Sequence, residues 1–373
     1  VLLRADFNVP LEGDKVRDDY KIAAGLPTIR FLLRYRAKII IASHLGRPEG
    51  KKVKKYTLLP VAKHLSKLLG VKVEFVDSCL GFKVGTAVGK MEEGKIIMLE
   101  NLRFEKGEEK NDKKFARQLA SLADIYVNDA FANSHRRHAS MSAIKKYLPS
   151  YAGLSLFEEV ENLNKIIQPK PPLVAVIGGV KIGTKISFIK KISQRSFKVL
   201  LGGALANNFF AARRMEIGKS LVDKESVALA RKLRAKNILL PVDVVVSDKK
   251  DGSGEAEVRN TFKVKKNEII LDIGPKTMRL YCRIIKKAQT IIWNGPMGMS
   301  EARHFKYGTL SIARAIAARS RGRAFGVAGG GETIAALKMT KMEDYMDWIS
   351  TGGGATLAFL SGEPMPGLEK IVK

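Results

Sequence analysis

The chain has 373 residues, enough for two or three domains, and its 45% hydrophobic and 28% charged residues mark a globular protein rather than a disordered or fibrous one. Lys and Arg total 66 against 37 Asp and Glu, a net charge of +29, which suits nucleic acid, an anionic membrane surface or acidic small molecules. No apolar run nears the roughly 18–20 residues that cross a bilayer, and Cys79 and Cys282 offer neither a disulfide framework nor a zinc spacing.

Two distant thiols read as core residues of a reducing compartment. The opening at Val1, inside the apolar run "VLLRADF", implies a missing native start and leaves open a removed leader. The excess lysines are scattered among acids. "KKVKK" at 51–55 and "KVKK" at 263–266 are not interleaved with stacking aromatics, so the charge reads mostly as solvated surface. Some of it would raise the local concentration of phosphorylated metabolites.

In chain order, strand-like runs fall at 37–43, 71–76, 95–101 and 123–131, separated by helix-period stretches such as "LLPVAKHLSKLL" and "KKFARQLASLA". This alternation implies a parallel sheet covered on both faces. "GLSLFEEVENLNKIIQPKPP" then places Leu154, Phe157, Val160, Leu163 and Ile167 on one helical face before Pro169, Pro171 and Pro172 stop it, as in a semi-rigid linker. The second half repeats the pattern at 172–179, 198–203, 237–246, 290–296, 324–331 and 347–354, interrupted by a small strand insertion at 251–274. The expected fold is two doubly wound (Rossmann-like) parallel-sheet α/β domains joined by a hinge helix, with ligands at the carboxyl ends of the strands.

Five of the six runs in the second half lead directly into glycine or Asn-Gly-Pro. Such turns present backbone N–H groups and a helix dipole to an anion. "GGGET" (329–333), "GGGAT" (352–356), "GGALANN" and "WNGPMG" share this form. "GGVKIGTK" (178–185) and "IGKS" (217–220) both fail as Walker A loops, the first by residue order and the second by Arg213 at the first glycine position. "GGVKIGTK" instead sets Lys181 and Lys185 four apart near a helix start. The dipole disfavours cations there, but a bound polyphosphate would supply the missing negative charge.

The first half carries Asp6 and Asn8 in "RADFNVP", His44 and Arg47 in "SHLGRP", Arg103 in "ENLRF", and His135, Arg136, Arg137 and His138 in one run. Arginine forks fit phosphate and carboxylate, and arginines beside the histidines argue against a metal. An anion cradle is the better account, with plain surface charge the remaining alternative. A basic pocket and a glycine-lined polyphosphate pocket on opposite sides of a hinge suit phosphoryl transfer.

In their order, "RADFNVP", "SHLGRP", "ENLRFEKGEEKND", "ADIYVNDAF", "HRRHAS", "GGVKIGTK", "WNGPMG", "GGGET" and "STGGGAT" resemble the phosphoglycerate kinase family nearly end to end. The resemblance implies reversible phosphoryl transfer between 1,3-bisphosphoglycerate and Mg-ADP, giving 3-phosphoglycerate and Mg-ATP. It divides the chain into a glycerate-binding domain at 1–152 with a tail at about 360–373, a hinge at 153–170, and a nucleotide domain at 171–359. Asp6, Phe7, Asn8, Lys21, His44, Leu45, Gly46, Arg47, Arg103 and Arg136 would bind the glycerate ligand, with Arg137 peripheral and the part of His138 undefined. Lys181, Lys185, Gly202, Gly203, Asn294, Pro296, Glu301, Gly330, Gly331, Glu332 and Thr333 would bind nucleotide, joined by the amides of Gly352, Gly353 and Gly354. Lys185, Lys21, Gly353 and Gly331 would be catalytic. Glu332 would reach Mg2+, itself held mainly by nucleotide phosphates.

The chain departs from the family pattern at Lys21, where Arg is usual, and at Glu332, where Asp is usual. These departures motivate the reading of an impaired relative that binds nucleotide without efficient turnover. A basic nucleic-acid-binding protein is the alternative from another class, and steep salt dependence would be its mark. The resemblance further implies a cytoplasmic monomer with no specific nucleic acid and no membrane partner.

Overall fold

A computed structural model describes residues 1–180, 183–233 and 235–372. The chain divides into two compact units, Val1–Glu161 with Pro364–Lys373, and Asn162–Glu363.

The first unit is built on a six-stranded parallel sheet. Its spatial order is Val73–Val76, Ile96–Leu99, Ile39–Ala42, Leu2–Ala5, Tyr126–Asp129, Ser150–Ala152. The central strands "LLRA", "IIIA" and "IIML" are buried along their whole length, because the sheet is covered on both faces. Leu2, Ile40, Ile97 and Tyr126 enter one core; Leu3, Ile39, Ile41, Met98 and Val127 enter the other. After Leu2–Ala5 the chain builds one side of the sheet, then crosses to place Tyr126–Asp129 on the other. The crevice at this reversal lies beside the carboxyl end of Leu2–Ala5.

The tail belongs to the first unit. Gly367 N donates to Ser134 O (2.7 Å), Asn128 Nδ2 donates to Gly367 O (3.0 Å), and Val372 bridges Tyr151. Lys145 Nζ donates to the Pro366 and Glu369 carbonyls.

The second unit has a six-stranded parallel sheet ordered Ile238–Leu239, Lys198–Leu201, Leu173–Ile177, Thr290–Asn294, Phe325–Gly329, Trp348–Ser350. Its reversal lies between Leu173–Ile177 and Thr290–Asn294, whose carboxyl ends run into "GGV" and "GPM". A separate antiparallel sheet orders Glu257–Asn260, Asp243–Ser247 and Ile269–Ile273.

Two sequence expectations change. The run 237–246 is not one strand: it breaks at Pro241, which has no N–H for the ladder, and the chain leaves the parallel sheet for the antiparallel one. Asp243 fixes the break by accepting from Lys276 N (2.9 Å) and Thr277 N (2.7 Å) at the start of helix Pro275–Ile285. In helix Leu154–Ile167 the buried stripe is Leu156, Glu159, Leu163 and Ile166, while Leu154 and Phe157 are 38% and 39% exposed. The helix is turned by its anchor: Leu156 N donates to Asp129 Oδ1 and Leu154 N to Thr28 Oγ1, each at 3.0 Å.

Candidate functional site

In the first unit, the loops following four adjacent strands gather the polar residues. Ser43 Oγ accepts from Phe7 N (3.0 Å) and donates to Ala5 O (2.8 Å), tying the first two loops together. Asn8 Oδ1 accepts from Gly46 N at 3.0 Å, a second tie. Gly46 has φ +61, and a Cβ there would lie 2.3 Å from the Tyr56 ring, so no larger residue fits. Asp6 Oδ2 receives Lys21 Nζ at 2.7 Å. Phe7 and Leu45 are buried in the core, which leaves their backbone, rather than their side chains, for a ligand. Arg47 is exposed, Arg136 half-buried, and Arg137 exposed.

The electrostatics of this cluster are one-sided. Arg4 and Arg103 are 1% and 3% exposed, and His44 and His138 are also buried. Burial and the neighbouring Arg136 push the Arg103 guanidinium down to about 10, even with Glu109 Oε1 3.2 Å from its Nε. Burial, then Arg4, Arg103, Lys21 and Arg136, holds the His44 imidazole well below the ordinary histidine range. His138 is pushed down to about 3 by burial and then Arg103. Its Nδ1, that of His135 and the Asn133 amide nitrogen are buried without a hydrogen-bond partner. Crowded cations and unspent polar atoms suit a polyanion, which would relieve both at once. Among the described residues no group of three or more His, Cys, Asp or Glu is placed to hold a metal.

In the second unit the site is made of turns. Gly178 N donates to Asn294 O (2.9 Å), Gly179 N to Pro296 O (2.7 Å), and Gly203 N to Met297 O (2.7 Å). These bonds sew three strand ends into one surface. A Cβ on Gly178 would lie 2.0 Å from Pro296 O, and one on Gly295, at φ +94, 2.3 Å from Gly178 O. Helix Gly183–Ser193 carries Lys185 in its first turn. The Lys185 ammonium is buried and donates to Gly178 O at 2.6 Å. A Cβ on Gly179 would stand 2.8 Å from Glu332 Oε2 and 3.1 Å from Lys185 Nζ, so both charged ends overhang this glycine.

Beside them opens a cavity of about 890 Å³, reaching from Gly179, Glu332 and Pro296 to Glu301, Leu221 and Ile270. Gly203 lines it, whereas Gly202 packs on Met297. Asn294 and Thr333 are braces: Asn294 Nδ2 and Thr333 Oγ1 donate to Gly329 O (2.8 and 2.9 Å), and Gly295 N donates to Thr333 Oγ1 (2.6 Å). Gly330 has φ +98 and precedes helix Gly331–Thr340; Gly353 has φ +54 and precedes helix Gly354–Ser361. Gly331 and Gly353 have nothing within 4 Å of a Cβ position, which leaves room beside their backbone, and Gly352 N donates to Ser350 Oγ (3.3 Å). Lys181 lies outside the described residues.

Each unit thus gathers most of its sequence-selected residues at the carboxyl edge of its own sheet. Sequence reading passed over Arg4, Glu108 and Ser140 in the first unit and Lys250 in the second, and it set aside Lys219 and Ser220 when "IGKS" failed as a Walker A loop, although all three line the cavity. Of the four residues passed over, only Arg4, a cation inside an apolar strand, carried a local signal.

Comparison with known proteins agrees with this architecture. The family model described as phosphoglycerate kinase matches residues 1–363. The chain is 43% identical to phosphoglycerate kinase of Pelotomaculum thermopropionicum and 44% to that of Moorella thermoacetica, over 100% of this chain and 96% of each relative. The structure of phosphoglycerate kinase from Coxiella burnetii superposes with a TM-score of 0.88 at 38% identity, covering 99% of this chain and 95% of that one. The Pyrococcus horikoshii OT3 enzyme gives 0.85 at 32% identity, with the same coverage. Two six-stranded parallel sheets, the ordered motifs at their carboxyl edges and these full-length matches together make the chain a member of the phosphoglycerate kinase family.

Proposed function

We propose that the reaction of this family is divided between the two sites. That reaction is the reversible transfer of a phosphoryl group between 1,3-bisphosphoglycerate and ADP in glycolysis, giving 3-phosphoglycerate and ATP. The first unit takes the glycerate ligand: Arg103, Arg136 and Arg47 supply forks for its phosphate and carboxylate, and Lys21, braced by Asp6, supplies a point charge. The second unit takes the nucleotide in the cavity, with its phosphates toward Gly179, Lys185 and the turns before helices Gly331–Thr340 and Gly354–Ser361.

The observation that carries this reading is the buried Lys185 ammonium in the first turn of a helix, over glycines that have no room for side chains. A cation there opposes the helix dipole, even with the Glu332 carboxylate over the same glycine. A bound polyphosphate would reverse that penalty. In the forward direction the P–O bond to the glycerate carboxyl oxygen breaks as a P–O bond to the ADP β-phosphate forms. The leaving carboxylate needs no proton, and no side chain need act as nucleophile. Lys185 would follow the moving charge, and the Gly331 and Gly353 amides would receive phosphate oxygens.

A magnesium ion carried in by the nucleotide fits the donor set: Glu332 offers one carboxylate beside Lys185, which leaves the other positions to phosphate oxygens and water. When bound, the ion neutralises phosphate charge. Closure of the two units over their ligands would exclude the water whose attack wastes the phosphoryl group. No helix among the described residues is long and apolar enough to cross a membrane. The family resemblance supports a monomer that acts in the cytoplasm.

Titration calorimetry of Arg136→Ala tests the division. The 3-phosphoglycerate affinity is expected to fall about tenfold or more, the scale of a lost charge-assisted contact, while nucleotide affinity stays within about twofold. Equal loss of both would overturn the two-site reading.

A further inference from the structure

The buried Arg4 presents a problem that the roles assigned so far do not solve. Its guanidinium is 1% exposed, and no carboxylate lies within ion-pair distance of it among the described residues. A buried charge without a counter-charge is unstable. The compensation comes at one remove. Arg4 Nε donates to Ser140 Oγ at 3.0 Å, and Ser140 Oγ donates to Glu108 Oε1 at 2.6 Å. Ser140 N donates to the other Glu108 oxygen at 2.9 Å, so the serine is clamped at two points. Tyr126 Oη adds a third hold by donating to Ser140 O at 2.7 Å. Glu108 and Ser140 are 0% and 1% exposed.

The other end of the guanidinium decides the chemistry of His44. Arg4 Nη2 lies 3.3 Å from His44 Nδ1. Arginine can only donate, so Nδ1 must accept, and a ring that accepts at Nδ1 is neutral with its proton on Nε2. Arg103, Lys21 and Arg136 also face this ring and oppose its protonation. We propose that Glu108 and Ser140 are positioning residues which, through Arg4, lock His44 as a neutral Nε2–H donor for the anionic glycerate ligand. The role of that donor rests on the proposed glycerate site; the tautomer does not.

The arrangement answers a specific need. A histidinium would add one more cation to a crowded cluster, and an Nδ1–H tautomer would set its proton against the Arg4 N–H. The relay leaves one directed hydrogen-bond donor, whose direction is fixed by buried groups on three separate segments: the strand Leu2–Ala5, the short helix Lys106–Glu109 and the loop at Ser140.

Long-range 1H–15N correlation spectra, with the ring assigned by comparison with His44→Gln, read the tautomer directly. Between about pH 5.5 and 8 the wild type is expected to show only the neutral Nε2–H form, where an ordinary histidine would titrate. Ser140→Ala is expected to admit the Nδ1–H form and raise the KM for 3-phosphoglycerate about tenfold, with the KM for ATP within about twofold. Ser140→Thr, which keeps the hydroxyl, is expected to restore both readings. An Nδ1–H ring or an ordinary titration in the wild type would overturn the proposal, and so would a Ser140→Ala enzyme with unchanged spectrum and KM. The wild-type spectrum keeps the test decisive even if Ser140→Ala fails to fold. If the glycerate ligand binds elsewhere, the Arg136→Ala titration fails while the wild-type tautomer stands, so the two failures are distinguishable.

Discussion

The first unit's candidate site offers an anion long cationic side chains from three loops and the helix Tyr20–Arg34, and the second unit's offers mainly backbone amides at glycine turns and the buried Lys185. Side-chain charges reach far but repel one another, which is why burial and Arg136 depress Arg103 and why His44 is kept neutral. Backbone donors carry no net charge and do not repel, but they demand that side chains be absent, as the 2.0 Å approach of a Gly178 Cβ to Pro296 O shows. One site is therefore tuned by charge and the other by shape. Mutations should damage them in different ways.

The largest effect is expected where the second site departs from its own rule, at Lys185. Lys185→Ala should lower the rate of 3-phosphoglycerate-dependent ADP formation by at least about two decades, the scale of removing a preorganised charge. A near-normal rate would mean that the turns suffice alone. Next comes shape itself. Gly295→Ala must place a methyl group 2.3 Å from Gly178 O at a φ of +94, and should destabilise the second unit by about 2–4 kcal/mol in urea unfolding while the first unit's transition stays put. Parallel loss in both units would show that the sites are not separately built.

A third effect, no larger than the second, separates the units by pH. Asp272 accepts from Gly308 N (2.7 Å) and Ile273 N (2.8 Å), yet burial pushes its carboxyl up to about 7 from the usual 3.8. A raised carboxyl holds its proton more tightly when folded. Its stabilisation is complete below about pH 4 and is lost as pH rises to about 7, a change on the order of 2–4 kcal/mol. His44 and His138 act oppositely: neutral when folded, they cost the first unit stability as pH falls below about 6.5, where unfolded histidine takes up a proton. Asp129, pushed up to about 6 by burial, partly offsets them. In Asp272→Asn the second unit's decline between about pH 4 and 7 should vanish, as followed by urea midpoints at each pH. A slope that persists would assign the linkage to another group.

Most of the residues gathered at both candidate sites could be picked from sequence because each motif sits just after a strand, where the chain has few other reasons to keep glycine, histidine and arginine together. The alternation of apolar strands and helical periods gave the two sheets for the same reason: burial on both faces leaves continuous runs such as "LVAVI". Contacts that depend on tertiary geometry were not legible. Nothing in "KGEE" or "HAS" says that Glu108 and Ser140 meet, 32 residues apart, over Arg4. Nor does helical spacing alone choose between the stripe through Leu154 and the one through Leu156, since Asp129 and Thr28 make that choice. The apolar run 237–246 concealed a change of sheet because burial looks alike in both.

The return of the tail to the first unit bears on how the chain matures. Residues 162–363 form one uninterrupted stretch and can make their internal contacts as soon as they emerge during synthesis. The first unit is interrupted by that stretch. Its Asn128 amide, Ser134 carbonyl and Lys145 ammonium wait for the segment after Pro364, and until it arrives those polar groups stay wet and the strand Ser150–Ala152 keeps a bare edge. The unit whose strands are made earlier is thus completed only after the other has been made.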